Sequence, residues 1–452
     1  MSPRSLPEPH ARWLVVLGPI VALLFTIASV RYVQTRWPTL ATDPAFFQHT
    51  GWYIVQGGVP YVDVWDVNPP VPFGITAVLA LLSGGNMLVL HGLSTALTVL
   101  VAASSVLLVG WIAYLVTEEH VAAIAAGLTM LIVPELVVLS LQGVRAQFYA
   151  LFFGSLALTL VLRDRPFLAG VLAALSAGSW QSGAVFAPLI VGMAYQRNGW
   201  RNAVKAVAGG GVVTGIVVVV FAAAGALVPM VVQSIVAPLR AGGSYTLAER
   251  VYSIVLVFGY GAVIFPVALY GWGRAAVRDL NSRWWIPVGG VIFTLQVLFV
   301  DLDGSTDAFL LLSFIALGVA VTVEHVIAWD TAPTDDHRGE TARTEHSRWT
   351  SVLIVLLVSV LVLGGVVWHL DSPPPKPTLQ TNQQQAEPPG ADLPITPADG
   401  NAPSMQTIYW DQLEPDTCHY RLSWNEIRWV AMTDDRLDAR ECHGWPSQTE
   451  RS

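Results

Sequence analysis

Residues 42–72 read TDPAFFQHTGWYIVQGGVPYVDVWDVNPPVP and follow directly on the first long apolar segment, Trp13–Val33. Asp43, Asp63 and Asp66 therefore stand beside a membrane-length run. Carboxylates there are costly unless water, a partner or a task keeps them. Thr42-Asp43-Pro44 suits a helix start, with Asp43 at the N-terminus and Pro44 at the first helical position. The predicted helix spans Pro44–Gln56. Phe46, Phe47, Trp52 and Tyr53 give it an interfacial composition, and Gly57-Gly58 ends it. VPYVDVWDVNPP then reads as extended chain stopped by Pro69-Pro70. On local pattern alone, Asp43 caps a helix and Asp63 and Asp66 are solvated loop acids.

Working outward, the chain has 452 residues, 53% hydrophobic and 12% charged, with mean hydropathy +0.54. A soluble domain carries about 25% charge. Long apolar runs with few charges are helices in lipid, because hydrocarbon offers no water to an open backbone. The fold class is an all-α polytopic membrane protein. Continuous rather than alternating runs argue against a β-barrel. Net charge is −8 and the basic residues are nearly all Arg. This balance fits an acidic surface in high salt and argues against nucleic acid as a partner. Trp13–Val33 is too long for a signal-peptide core and lacks a small-residue cleavage pattern.

Apolar length gives about ten or eleven spans of roughly 20 residues each. They are Trp13–Val33, Leu88–Val116, Val121–Leu141, Phe148–Leu162, Phe167–Tyr195 as two short helices broken near Gly178–Gln181, Val204–Phe221, Tyr252–Tyr270, Trp285–Val300, Ala308–Trp329 and Ser351–Trp368. Val71–Leu82 is short and reads as re-entrant or interfacial. Arg163, Arg165, Arg197, Arg201, Lys205, Arg274, Arg278 and Arg283 fall in one set of loops, Arg36, Arg145, Arg240 and Arg250 in the other. Positive charge stays cytoplasmic, so the N-terminus is expected inside. The first loop (34–70), Gln142–Gln147, Pro229–Arg250, Asp301–Asp307 and the C-terminal tail share the outer face. This parity requires that Val71–Leu82 does not cross.

The expected domains are a transmembrane catalytic unit over 1–370, a disordered Pro/Gln-rich linker over 371–404, and a small Trp-rich extracytoplasmic cap over 405–452. Cys418 and Cys442 are the cysteines of the chain. A disulfide between them would staple so small a domain outside the cell; two free thiols is the other reading. Zinc through Cys418, His419, Cys442 and His443 lacks finger spacing.

The first loop resembles that of the GT-C glycosyltransferases, polytopic enzymes that use polyprenyl-phosphate-linked sugars. The likeness lies in an acid just after span one, an aromatic helix, Gly57-Gly58-Val59-Pro60-Tyr61-Val62-Asp63, and Trp65-Asp66-Val67-Asn68-Pro69-Pro70 before an apolar segment. The branch it looks most like is the archaeal dolichyl-phosphate-mannose-dependent mannosyltransferases. Residues 408–439 look like a tail on haloarchaeal members. The resemblance implies a GT-C-like fold and mannose transfer from dolichyl phosphate mannose to a lipid- or protein-linked glycan in N-glycosylation, with inversion. It makes Asp43 the general base, a role that suits deprotonation of an acceptor hydroxyl. Asp63, Asp66 and Asn68 would shape the loop or hold the acceptor. Arg145 in LQGVRAQ and Arg240 in APLRAGGSY are the cations expected for the donor phosphate; a snorkelling interfacial arginine is the plain alternative. Asp303 in DLDGSTD is a candidate for acceptor hydroxyls. Trp180 and Gln181, at the break in span Phe167–Tyr195, are candidates for sugar or prenyl contacts, and Glu135 is an intramembrane acid. No metal is assigned, although a divalent ion is compatible with the family. The rival function is a flippase or transporter of lipid-linked sugars, which would show midspan charges and an internal repeat.

Overall fold

The computed structural model describes residues 12–64, 66–241, 246–300, 305–331, 358–360, 362, 364 and 405–412. The linker 371–404, Cys418 and Cys442, and nearly all of Ser351–Trp368 lie outside these. Among the described residues the regular structure is helical, apart from an isolated bridge between Pro60 and Val64.

In chain order the helices are α1 (Arg12–Thr35), α2 (Thr42–Val55), α3 (Val71–Ser83), α4 (Met87–Thr117), α5 (His120–Met130), α6 (Glu135–Val138), α7 (Ala146–Leu162), α8 (Pro166–Ser179), α9 (Phe186–Asn198), α10 (Trp200–Ala223), α11 (Leu227–Val231), α12 (Ala237–Ala241), α13 (Leu247–Phe258), α14 (Ile264–Arg278), α15 (Leu280–Arg283), α16 (Trp285–Phe299), α17 (Phe309–Thr331) and α18 (Met405–Trp410). Helices α1, α4, α10 and α17 with its lead-in are each long and apolar enough to cross a membrane, and two further pairs qualify as bent spans. One is α5 with Glu135–Gln142, bent by 70°; the other is α13 with Gly261–Arg278, bent by 102°. The expected spans over Val121–Leu141 and Tyr252–Tyr270 are thus each bent pairs of helices. Pro134 denies the first run a helical N–H and Gly259, at φ +50°, breaks the second. The break in Phe167–Tyr195 falls where expected, between α8 and a 3-10 turn at Gln181–Val185. Within the expected loop Pro229–Arg250, residues 229–241 are helical through a π segment at Val232–Val236.

Helix α17 is the axis of the bundle, with Phe309, Leu312, Phe314 and Ile315 fully buried. Helix α10 lies at the periphery and keeps Val212, Ile216 and Val219 exposed. In lipid that face needs no partner, whereas α17 is covered by protein. Hydroxyls inside the spans fold back on their own helices: Thr98, Ser105 and Thr129 donate to carbonyls one turn earlier at 2.7–2.8 Å. Helices α8 and α10 meet backbone to backbone, since a Cβ on Gly170 would stand 1.8 Å from Ala206 O and one on Gly209 2.0 Å from Phe167 O. Helix α3 has 13 residues, about 20 Å of helix, too short to cross a hydrocarbon core of roughly 30 Å.

Candidate active site

Helix α2 begins at Thr42, with Ala41 as N-cap, two residues earlier than the sequence pattern placed it. Asp43 remains in the first turn, where the helix dipole favours a carboxylate. The expectation of an interfacial helix is overturned. Pro44 through Gly51 are all buried, and Phe46 and Phe47 pack on Phe73 of α3 at ring distances of 6.1 and 5.7 Å. The aromatics anchor α2 in the protein rather than in headgroups, so Asp43 is presented from a rigid element.

The segment after Gly57 is a tight turn, not extended chain. Tyr61 N–H donates to Val64 O at 2.7 Å, with Tyr61 at φ +67°, and Asp63 Oδ2 accepts from Val59 N–H at 2.7 Å. Asp66, 2% exposed, accepts from the Asn68 backbone N–H and Nδ2 at 3.1 and 2.8 Å. Two glutamines from distant elements clamp this turn. Gln233 accepts from Asp66 N–H at 3.1 Å and donates to Tyr61 O at 2.8 Å; Gln181 donates to Val67 O at 2.6 Å and Ser234 O at 3.1 Å. In this conformation Asp63, Asp66, Asn68 and Gln181 therefore hold the loop together. Trp180, half-buried at the end of α8, packs against the apolar core.

A charged cluster forms from three segments, the start of α2, Gln142–Gln147 and Asp307. Arg145 Nη1 donates to Asp43 Oδ2 at 2.5 Å and Nη2 to Gln142 Oε1 at 3.2 Å. Gln147 Nε2 donates to Asp307 Oδ1 at 3.0 Å, and Asp307 is 5% exposed. Burial pulls the Arg145 guanidinium down to about 10, and the charge of Asp307 works against that loss. The arginine stays charged at neutral pH and forms an ion pair with Asp43. Arg145 Nε is buried without a hydrogen-bond partner. Gly143, at φ +109° and ψ −165°, lets the backbone approach Gln48 of α2: a Cβ there would lie 2.6 Å from Gln48 Nε2.

The sequence candidates fare unevenly. Asp43 and Arg145 come together across 102 positions. The Arg240 side chain and Asp303 lie outside the described residues, while Asp307 of the same DLDGSTD stretch joins the cluster. Arg250, 4% exposed, reaches Val297 O at 3.5 Å and Val300 O at 3.4 Å at the end of α16. Glu135 starts α6 at the break. Gln142, Gln147, Gln48 and Gln233 were missed as site-forming residues. The available signal was uncharged amides in a chain otherwise so apolar. Among the described residues no group of three His, Cys, Asp or Glu side chains gathers as a metal site. Beyond Asn68, an apolar cavity of about 500 Å³ opens between α3 and α10, lined by Pro70, Val71, Gly74, Ile75, Val78 and Phe221 among others.

Comparison with known proteins bears on this geometry. The family model for DolP-mannose mannosyltransferase matches residues 57–222, from the clamped turn to the end of α10. A dolichol phosphate-mannose mannosyltransferase of Haloferax volcanii is 26% identical, covering 95% of this chain and 96% of its own. The crystal structure of ArnT from Cupriavidus metallidurans bound to undecaprenyl phosphate superposes with a TM-score of 0.61 at 12% identity, over 95% of this chain and 89% of that one. At that identity the likeness is one of fold, the GT-C architecture expected from the first loop.

Proposed function

We propose that this protein, which is similar to the DolP-mannose mannosyltransferases, is a multi-pass membrane glycosyltransferase that moves mannose from dolichyl phosphate mannose to a hydroxyl of a lipid- or protein-linked glycan on the outer face, in protein N-glycosylation. The observation that carries the proposal is the Asp43–Arg145–Asp307 cluster. Asp43 takes the proton of the acceptor hydroxyl as its oxygen attacks C1 of mannose. The C1–O bond to phosphate breaks on the opposite side, and dolichyl phosphate leaves with the electron pair. One base and one attacking hydroxyl give inversion. Arg145, with a buried Nε still to be satisfied, offsets the charge on the leaving phosphate. The apolar cavity between α3 and α10 suits a prenyl chain entering from lipid.

Helix α18 supports a shared side for the loop and the tail. It rests on α2 and the α3–α4 turn, so residues 405–412 and the first loop lie at one end of the bundle. The arginine-poor loops at that end support reading it as the outer one.

The test is transfer of labelled mannose from dolichyl phosphate mannose to the organism's own glycan in membranes containing the full chain. Transfer that depends on the protein is expected. Absence of transfer, together with lipid-linked sugar accumulating on one leaflet when the gene is deleted, would replace this reading with a flippase.

A further inference from the structure

Helix α18 is six residues long, and a helix that short has no stability of its own. Its place is set by what it touches. Met405, Ile408, Tyr409 and Trp410 are 8, 1, 0 and 9% exposed. Gln406 Nε2 donates to Leu40 O at 3.2 Å and stands 3.4 Å from Thr42 Oγ1, on either side of the α2 N-cap. Tyr409 Oη donates to Met87 O at 2.5 Å and lies 3.2 Å from Gln48 Oε1. Gln412 Nε2 donates to Gly85 O at 2.9 Å. Burial holds the Tyr409 phenol well above its ordinary value, so it remains a hydrogen-bond donor at any working pH.

These contacts lead to the charged cluster by two routes. Gln406 grips the residue that precedes Asp43. Tyr409 grips Gln48, which is fully buried and whose Nε2 has no hydrogen-bond partner and abuts Gly143. Gly143 lies two residues before Arg145. The tail thus braces both the segment that carries Asp43 and the loop that carries Arg145.

We propose that residues 405–412 form a strap over the transfer site, with Tyr409 and Gln406 as positioning residues that hold Asp43 in register with Arg145. The catalytic consequence rests on the mannosyl-transfer reading; the strap itself does not. A carboxylate displaced by a fraction of an ångström from its acceptor hydroxyl loses rate while the donor still binds.

The test uses the full chain with Tyr409→Phe, and Gln406→Ala as a second variant should the first fail to fold. Two quantities are measured: mannose transfer as kcat and donor KM, and amide hydrogen exchange over Thr42–Val55. The strap predicts about a ten-fold fall in kcat per folded molecule with donor KM unchanged, and faster exchange confined to α2. Unchanged exchange together with kcat within two-fold of wild type would overturn the proposal. So would a loss that merely tracks a lower yield or melting temperature, which marks a stabilising contact only. If exchange quickens in the variants while even the wild type transfers no mannose, the strap is upheld and the transfer reading alone fails.

Discussion

Two arginine–carboxylate clusters sit at opposite ends of α17. Asp307 precedes the helix and Glu324 lies near its far end, about 22 Å along the axis from Phe309. At the far end Arg283 donates to both oxygens of Glu324, to Val116 O at 2.9 Å, and stands 3.7 Å from Asp279. Burial lowers that guanidinium's pKa, but the hydrogen bond and charge of Glu324, with Asp279, outweigh it and the net shift is upward. At the near end Arg145 makes a single contact to Asp43, leaves Nε buried and unsatisfied, and is shifted downward. One cluster uses its hydrogen-bonding capacity within the protein. The other keeps the Arg145 Nε in reserve. The first is read as a strut and the second as the proposed site, and residue type alone does not distinguish them.

The contrast can be broken or sharpened by mutation. Asp43→Asn keeps the shape and removes the base; mannose transfer should fall by about 10³-fold, read as initial rate at equal expression. Arg145→Ala leaves Asp43 without its cation and should cost about 10²-fold, with donor KM rising if the same arginine meets phosphate. Arg145→Lys tests the electrostatics through pH. Burial penalises a charged cation, so it depresses a lysine from about 10.4 as it brings the arginine to about 10. A lysine here releases its proton at lower pH, so the alkaline limb of kcat/KM should move down. Wild type should keep its cation up to about pH 10. Gly143→Ala meets a backbone region open essentially to glycine and a close approach to Gln48. It should destabilise by about 1–3 kcal/mol, seen in thermal melting, with a smaller loss of rate.

Much of the fold was legible because long apolar runs admit few alternatives in lipid. The break after α8 could be read from Gly178, Ser179 and Gln181. The break before α6 was hidden inside LIVPELVVL, where apolar continuity outweighed the signal of Pro134. VPYVDVWDV alternates like a strand, yet Gln233 and Gln181 fold it into a turn from 167 and 114 positions away. Local pattern carries no trace of such partners. Asp43 is proposed as the base from the resemblance of the first loop. Its pairing with Arg145, and the cover that Tyr409 provides, depend on tertiary contact alone. Helix α2 likewise reads as interfacial from composition, because Phe46 and Phe47 look the same whether they face headgroups or Phe73.

The most direct test sets Asp43→Asn against Glu324→Gln in the same membranes, at matched amounts of folded protein, with labelled dolichyl phosphate mannose as donor. The account predicts near-complete loss of transfer in Asp43→Asn, and wild-type turnover per folded molecule in Glu324→Gln with a lower melting temperature. Full transfer by Asp43→Asn, or equal loss in both variants per folded molecule, would contradict it.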